Sequence, residues 1–426
     1  MTFGRGAAPL PIVRSAFPTT EDVRMPLAAP PRPFRLASLA CCLVLSVAGC
    51  SKDPDDAVKS PTGQSAAAAQ PRPLASQAGQ IQVRELATGL RHPWGLALLP
   101  DGGFLVTERV GTLRRIGADG QVSAPLAGVP TVFARGQGGL LDVALAPDFA
   151  QSRRIYLSYA EPGEGVLAGT AVARAVLDAQ GLSQVEVIYR QEPKVDTENH
   201  FGSRLAFDGQ GHLFISQGER TLRTMAQDLG KLQGKLVRLN LDGSVPTDNP
   251  FVGQDGARAE IWSYGHRNSQ GLAFDPRSGK LWETEHGPRG GDEINLPEPG
   301  RNYGWPLITY GIDYSGQPIA EAVGQAREGL EQPYHYWAKS PGVSGLAFYT
   351  GHPGSAWNDS LFVGSLAERN LIRLSLDGER IVGEERLLGE LEQRVRDVRV
   401  GADGTVYVLT DEEEGQLLQL SPPKAS

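Results

Sequence analysis

The sequence predicts an all-β protein, a six-bladed β-propeller of four-stranded antiparallel blades. Two observations carry this expectation: a composition suited to tight turns, and one strand–turn–strand pattern that recurs six times. The 426 residues include 52 glycines and 31 prolines but only 3 methionines, and no long amphipathic helix is visible. That length could hold two or three average domains, but the repeats gather residues 81–426 into one. A net charge of -8 offers no basic face for a phosphate backbone, so nucleic acid is excluded as an expected partner and small-molecule chemistry is favoured.

In chain order, the first feature is an apolar run of 14 residues, Leu36 to Gly49, preceded by Arg32 and Arg35. It is too short to span a bilayer, which takes about 20 residues. The run ends in Val47-Ala48-Gly49-Cys50, which resembles the lipobox where signal peptidase cuts ahead of a lipidated cysteine. Residues 1–50 therefore read as a lipoprotein-type signal region ending at Cys50, and Met25 is an alternative start that gives a signal of ordinary length. An ordinary secretory signal is the other account. The expected location is the cell envelope, facing the periplasm and held to the membrane by a lipid anchor at Cys50. Ser51 favours the outer membrane by the bacterial sorting rule. With Cys41 and Cys42 lost in the signal, Cys50 is the last cysteine and no internal disulfide can form. Residues 51–80, rich in Ala, Pro, Gln and Ser without an apolar period, read as a flexible tether.

The repeats follow. Each begins with a short apolar strand, passes through a turn containing Asp-Gly or Pro-Asp in several copies, and returns along a second apolar strand. The six copies start at Trp94-Gly95-Leu96, Leu141-Asp142-Val143, Ser203-Arg204-Leu205, Gly271-Leu272-Ala273, Gly345-Leu346-Ala347 and Arg396-Asp397-Val398, at intervals of roughly 45 to 75 residues. A solenoid would need a shorter and stricter period, so radial packing of the six sheets is expected. Loops from all blades then meet around one channel, and residues distant in sequence can share a pocket.

Five loops put polar or ionisable groups beside the apolar strands. His200, in Asn199-His200-Phe201-Gly202-Ser203, suits general-base work at an alcohol, although a hydrogen-bonded turn histidine would look the same. Arg267 and Asn268, in Gly265-His266-Arg267-Asn268, could hold a carboxylate or a quinone oxygen. The stretch Glu285-His286-Gly287-Pro288-Arg289-Gly290-Gly291-Asp292-Glu293 combines carboxylates with freely turning glycines, which is calcium-site chemistry without the spacing of an EF-hand or a zinc site. Arg394 and Arg396 fall on one face of an extended segment and want a polyanion, while a solvated charge run is the plainer account. Gln137 lies between glycines that permit close approach of a ligand.

The order and wording of these loops resemble the soluble quinoprotein glucose dehydrogenases and, more closely, the bacterial aldose sugar dehydrogenases, over about residues 83 to 421. The motifs concerned are Gly-Gln-Gly-Gly-Leu-Leu-Asp, His-Phe-Gly-Ser-Arg-Leu, Gly-His-Arg-Asn, His-Gly-Pro-Arg-Gly-Gly-Asp-Glu-Ile-Asn, Asn-Tyr-Gly-Trp-Pro and Arg-Val-Arg-Asp-Val. The resemblance implies oxidation of an aldose sugar at C1 by pyrroloquinoline quinone (PQQ) with Ca2+, electrons then passing to an external acceptor. It assigns the base to His200 and cofactor contacts to Gln137, Arg267, Asn268, Arg394 and Arg396. It puts a catalytic calcium on the carbonyls of Gly287 and Pro288, and a structural calcium at Glu293 and Tyr303.

Two positions depart from the family pattern. Ser365-Leu366-Ala367 lacks the cofactor-binding lysine that follows the Ser-Leu pair in the glucose dehydrogenases, and Glu219 stands where many relatives have aspartate. Two other readings stay open at the level of sequence: a non-catalytic propeller that binds a glycan or partner, and a metal-dependent lactonase on the same fold.

Overall fold

A computed structural model describes residues 70–351 and 354–423. The signal region and Cys50 lie outside the described residues. Among those described, no helix is long and apolar enough to cross a membrane.

Six antiparallel sheets make up the chain, the first five built outward from their first strands and the sixth outward from Val395–Val400. The innermost strands are Pro93–Leu98, Leu140–Leu145, Gly202–Phe207, Ser269–Phe274, Val343–Phe348 and Val395–Val400. Each packs beside the next, and the last packs beside the first, so the ring is closed. The blades are not uniform. Four have four strands, the first has three, and the sixth has five. In the sixth, Gly79–Leu90 pairs with the last strand, Gly415–Ser421, with Val83 opposite Leu420, so the two ends of the ring are hydrogen-bonded into one sheet.

The described end of the segment expected to be a tether is folded. Arg72–Ser76 is a strand paired with Gly79–Leu90, and Leu74 and Ala78 pack on the core of the sixth blade. A single leucine among small polar residues gives no readable period, but one apolar contact and a backbone ladder suffice at a sheet edge.

Apolar side chains gather in separate clusters between neighbouring blades. Leu105 and Leu157 join the first and second blades, Val172 and Ile215 the second and third, and Phe214 and Leu272 the third and fourth. Trp282 and Val363 join the fourth and fifth, Phe362 and Val408 the fifth and sixth, and Val106 and Leu409 the sixth and first. Each sheet is therefore covered on both faces, which explains why its strands read as continuous apolar runs rather than as an alternation.

A register irregularity sits near the start of every innermost strand. Such bulges re-aim the next side chain, and the residues concerned are Gly95, Asp142, Arg204, Gly271, Gly345 and Asp397. The buried Arg204 guanidinium lies 3.1 Å from Asp142 Oδ1 and 3.2 Å from Asp397 Oδ1, and its Nε donates to the Gln270 carbonyl at 2.7 Å. It also lies 4.1 Å above the Trp94 ring. Three long side chains from the second, third and sixth blades meet on the axis, leaving no room for three more. A Cβ on Gly95 would lie 2.9 Å from Asp142 Oδ1, and one on Gly345 would collide with Asp397.

Candidate active site at the channel mouth

The channel opens on the face where the innermost strands begin. A cavity of about 320 Å³ there is lined by Trp94, Arg109, Gln270, Arg394, Arg396 and Asp411, among others. Gln137 lines this cavity and two wider depressions of about 660 and 800 Å³, so the three form one compound site.

His200 borders the 660 Å³ depression. Its backbone is left-handed, with φ 54°, and its N–H donates to Gln137 Oε1 at 2.9 Å. Nδ1 lies 2.6 Å from Glu219 Oε2. Gly218 makes this approach possible, because a Cβ there would collide with the His200 carbonyl. Burial raises the Glu219 pKa, but the charge and hydrogen bond of His200 and the charge of Arg267 outweigh it, so the net shift is downward and the carboxylate is held ionised. The loop bearing His200 is itself clamped. Arg220 donates to the carbonyls of Asn199 and Ala168 at 2.8 Å each and to that of Thr197, and its guanidinium covers the Phe201 ring at 3.7 Å. Burial lowers the Arg220 pKa to about 10.

Arg267 lines the same depression, and Asn268, next to it in the chain, is buried. Arg267 donates through Nη1 to the His286 carbonyl at 3.1 Å and through its backbone N–H to Glu285, while its Nε has no partner. Asn268 Oδ1 accepts from the Gly202 N–H at 3.1 Å, and its buried Nδ2 likewise has no partner. Two orphaned donors on neighbouring residues imply a ligand or ordered water with acceptor oxygens.

Arg396 is fixed by Asp411 at 2.5 Å and by Gln270 Oε1 at 2.9 Å. Arg394 lies 3.6 Å from the same carboxylate and donates to the Leu366 carbonyl at 3.3 Å. Burial would raise the Asp411 pKa, but Arg396, Arg109 and Arg394 together hold it well below the usual carboxylate range. Glu412, also on the rim, is matched by Arg369 at 2.9 Å.

Gly287 and Pro288 line the 800 Å³ depression beside Arg394 and Ala367. The Gly287 N–H donates to Asp292 Oδ1 at 3.0 Å. Glu293 lies deeper, opposite Glu285 in the sheet, and Tyr303 stacks on His266 with ring centroids 4.8 Å apart. His266 Nδ1 is 3.1 Å from Glu285 and 3.2 Å from Glu283, and ligand atoms of these three residues are close enough to hold one cation. Burial, reinforced by neighbouring carboxylates, raises the pKa of Glu283 and pushes that of Glu293 well up. The Tyr303 hydroxyl is already committed, donating to the Leu296 carbonyl at 2.7 Å and accepting from Glu298 at 2.9 Å.

Residues 90–419 match the family described as glucose/sorbosone dehydrogenase. The chain is 55% identical to aldose sugar dehydrogenase YliI of Escherichia coli over 345 residues, covering 80% of this chain and 93% of the relative. A crystal structure of a glucose dehydrogenase aligns with a TM-score of 0.78 and 60% identity, covering 79% of this chain and 98% of the other. The PQQ-bound form of an aldose sugar dehydrogenase from Streptomyces coelicolor aligns at TM-score 0.66 and 29% identity, over 82% and 100% of the two chains.

The chain belongs to the glucose/sorbosone dehydrogenase family.

In this family member seven of the ten residues singled out from sequence line the cavities at the channel mouth, whereas Asn268, Glu293 and Tyr303 do not reach them. Sequence reasoning missed Arg109, Asp411 and Arg220. A signal for the first two was available. In the sheet register, Glu108, Gln217, Glu285, Ser365 and Thr410 each pair with a residue at the start of an innermost strand. One residue further on stand Arg109, Gly218, His286, Leu366 and Asp411. Four of these five line the central cavity, and Gly218 leads into Glu219. Aligning the repeats on this position would have picked them out. Arg220 bonds only to backbone carbonyls, and no residue pattern encodes those.

Proposed function

We propose that the protein is a PQQ-dependent aldose sugar dehydrogenase that oxidises the C1 hydroxyl of an aldose to the lactone. The observation that carries this reading is the carboxylate-oriented His200 opening onto the same mouth as an arginine-rich cavity. The residues fit the cofactor. A small polycarboxylate matches the surplus of guanidinium charge, and the unpartnered donors of Arg267 and Asn268 suit quinone or carboxylate oxygens. When bound, PQQ supplies a two-electron acceptor for hydride, and Ca2+ supplies a Lewis acid that polarises its carbonyl.

The chain's own part is proton transfer and orientation. Glu219 accepts a hydrogen bond from the Nδ1–H of His200, which leaves Nε2 free to take the proton of the C1 hydroxyl as hydride leaves C1. Arg394 and Arg396 clamp cofactor carboxylates, while Gln137, Arg267 and Asn268 fix its orientation. The Gly287 and Pro288 carbonyls are the assigned calcium ligands. A second calcium at Glu293 and the Tyr303 backbone is supported by the buried carboxylates at that place, where a divalent charge would offset their mutual repulsion.

A lipid anchor at Cys50, an outer-membrane location facing the periplasm, and an external electron acceptor complete the proposal. Purified protein freed of metal by chelation should oxidise aldoses with an artificial dye acceptor only when PQQ and Ca2+ are both restored. Sugar-lactone hydrolysis without either would favour the lactonase reading, and saturable glycan binding with no turnover in any condition would favour a binding propeller.

A further inference from the structure

Resting on the reading above, we infer that Arg109 is a third carboxylate-binding arginine of the cofactor cavity. It comes from the first blade and lines the same cavity as Arg394, Arg396 and Asp411 of the sixth. None of the sequence motifs included it.

Three observations carry the inference. Arg109 Nη1 donates to the Gly136 carbonyl at 2.8 Å, which fixes the plane of the guanidinium. Its Nε is buried without a partner, and no hydrogen bond to Nη2 occurs among the described residues. The free Nε–Nη2 edge is the side that matches a carboxylate with two parallel bonds. Finally, the charges do not balance. Arg109, Arg394 and Arg396 share Asp411, since Glu412 is engaged by Arg369. His92 Nδ1 also contacts Asp411, at 3.2 Å. Three buried or half-buried cations around one anion repel one another until a polyanion enters.

The backbone holds Arg109 at this place. Its N–H donates to the His92 carbonyl at 3.1 Å, and its carbonyl accepts from Leu140 at 3.3 Å. That second contact passes over Gly139, where a Cβ would collide with the Arg109 carbonyl. Gly139, two residues after Gln137, therefore lets the second blade close on Arg109.

The test is calorimetric titration of PQQ into the cofactor-free protein with Ca2+ present, using wild type, Arg109→Gln, Arg109→Lys and Arg394→Gln. Arg109→Gln should bind about 10-fold or more weakly, as expected for loss of a charged hydrogen bond. Arg109→Lys, which keeps the charge but loses the fork, should fall between. The trimethyl ester of PQQ, which carries no carboxylate charge, should bind wild type and Arg109→Gln alike. Equal PQQ affinity of wild type and both Arg109 variants, with Arg394→Gln weakened, would overturn the inference and leave the proposed function standing. An equal loss of the ester would also overturn it, by showing that Arg109 shapes the cavity without contacting a carboxylate. Failure of the wild type to bind PQQ would overturn the functional reading and the inference together.

Discussion

A neutral imidazole can act as a base only through the nitrogen that lacks a proton, so the role proposed for His200 depends on which nitrogen Glu219 occupies. With Glu219 ionised, the 2.6 Å contact calls for the proton on Nδ1 and makes Nε2 the base in this proposal. His200→Gln should keep PQQ affinity but lower turnover at saturating cofactor by about 10²–10⁴-fold, the usual contribution of a positioned base. Stopped-flow reduction of the bound cofactor by sugar measures this directly. Wild-type reduction rates in the variant would make His200 a turn residue and move the proton to another group.

At the scale of the loop, the unit that matters is the clamp on residues 197–201. Arg220 satisfies three backbone carbonyls with one guanidinium and stacks on Phe201 next to the base. Arg220→Met keeps the stem but leaves the carbonyls of Thr197 and Asn199 without this donor, while that of Ala168 keeps the Val195 N–H, at a cost of about 1–3 kcal/mol for a buried group. Turnover should fall more than PQQ affinity, and Arg220→Lys should restore part of it. Lowered stability in urea with turnover intact would reduce Arg220 to a structural role. This loop also marks how far the sequence could be read. His200 was visible because an imidazole suits general-base work and because it stands in a motif that carries the family resemblance. Arg394 and Arg396 were visible because alternation places them together. Arg220 was not, because its partners are carbonyls that every residue carries. Arg109 and Asp411 were missed one residue at a time, although the repeats themselves encode their position.

For the whole molecule, the decisive fact is that the described residues form separate apolar clusters between blades and not one core. The sixfold repeat was legible because every blade needs the same bulged inner strand, whereas the exceptions were not: the first blade stops at three strands and the sixth recruits Gly79–Leu90. Because each pair of neighbouring blades is joined by its own apolar cluster, opening the ring at one seam exposes the facing sides of two sheets. The strand Gly79–Leu90 guards that seam. Ile81 and Leu90 are fully buried in the clusters on either side of the sixth blade, while Arg72–Ser76 is an outermost strand with only Leu74 packed inward. Ile81→Asp places an unpaired carboxylate where burial is complete, which should cost several kcal/mol and lower the melting temperature sharply. A chain beginning at Gly79, without the outer strand, should melt within a few degrees of the full chain and still bind PQQ. A chain beginning at Arg91 loses the closing strand and should not give a cooperative melt. Differential scanning calorimetry of the three variants checks the set. Cooperative melting of the chain beginning at Arg91 at the parent temperature would mean that inter-blade packing alone holds the ring, and that pairing across its ends is dispensable.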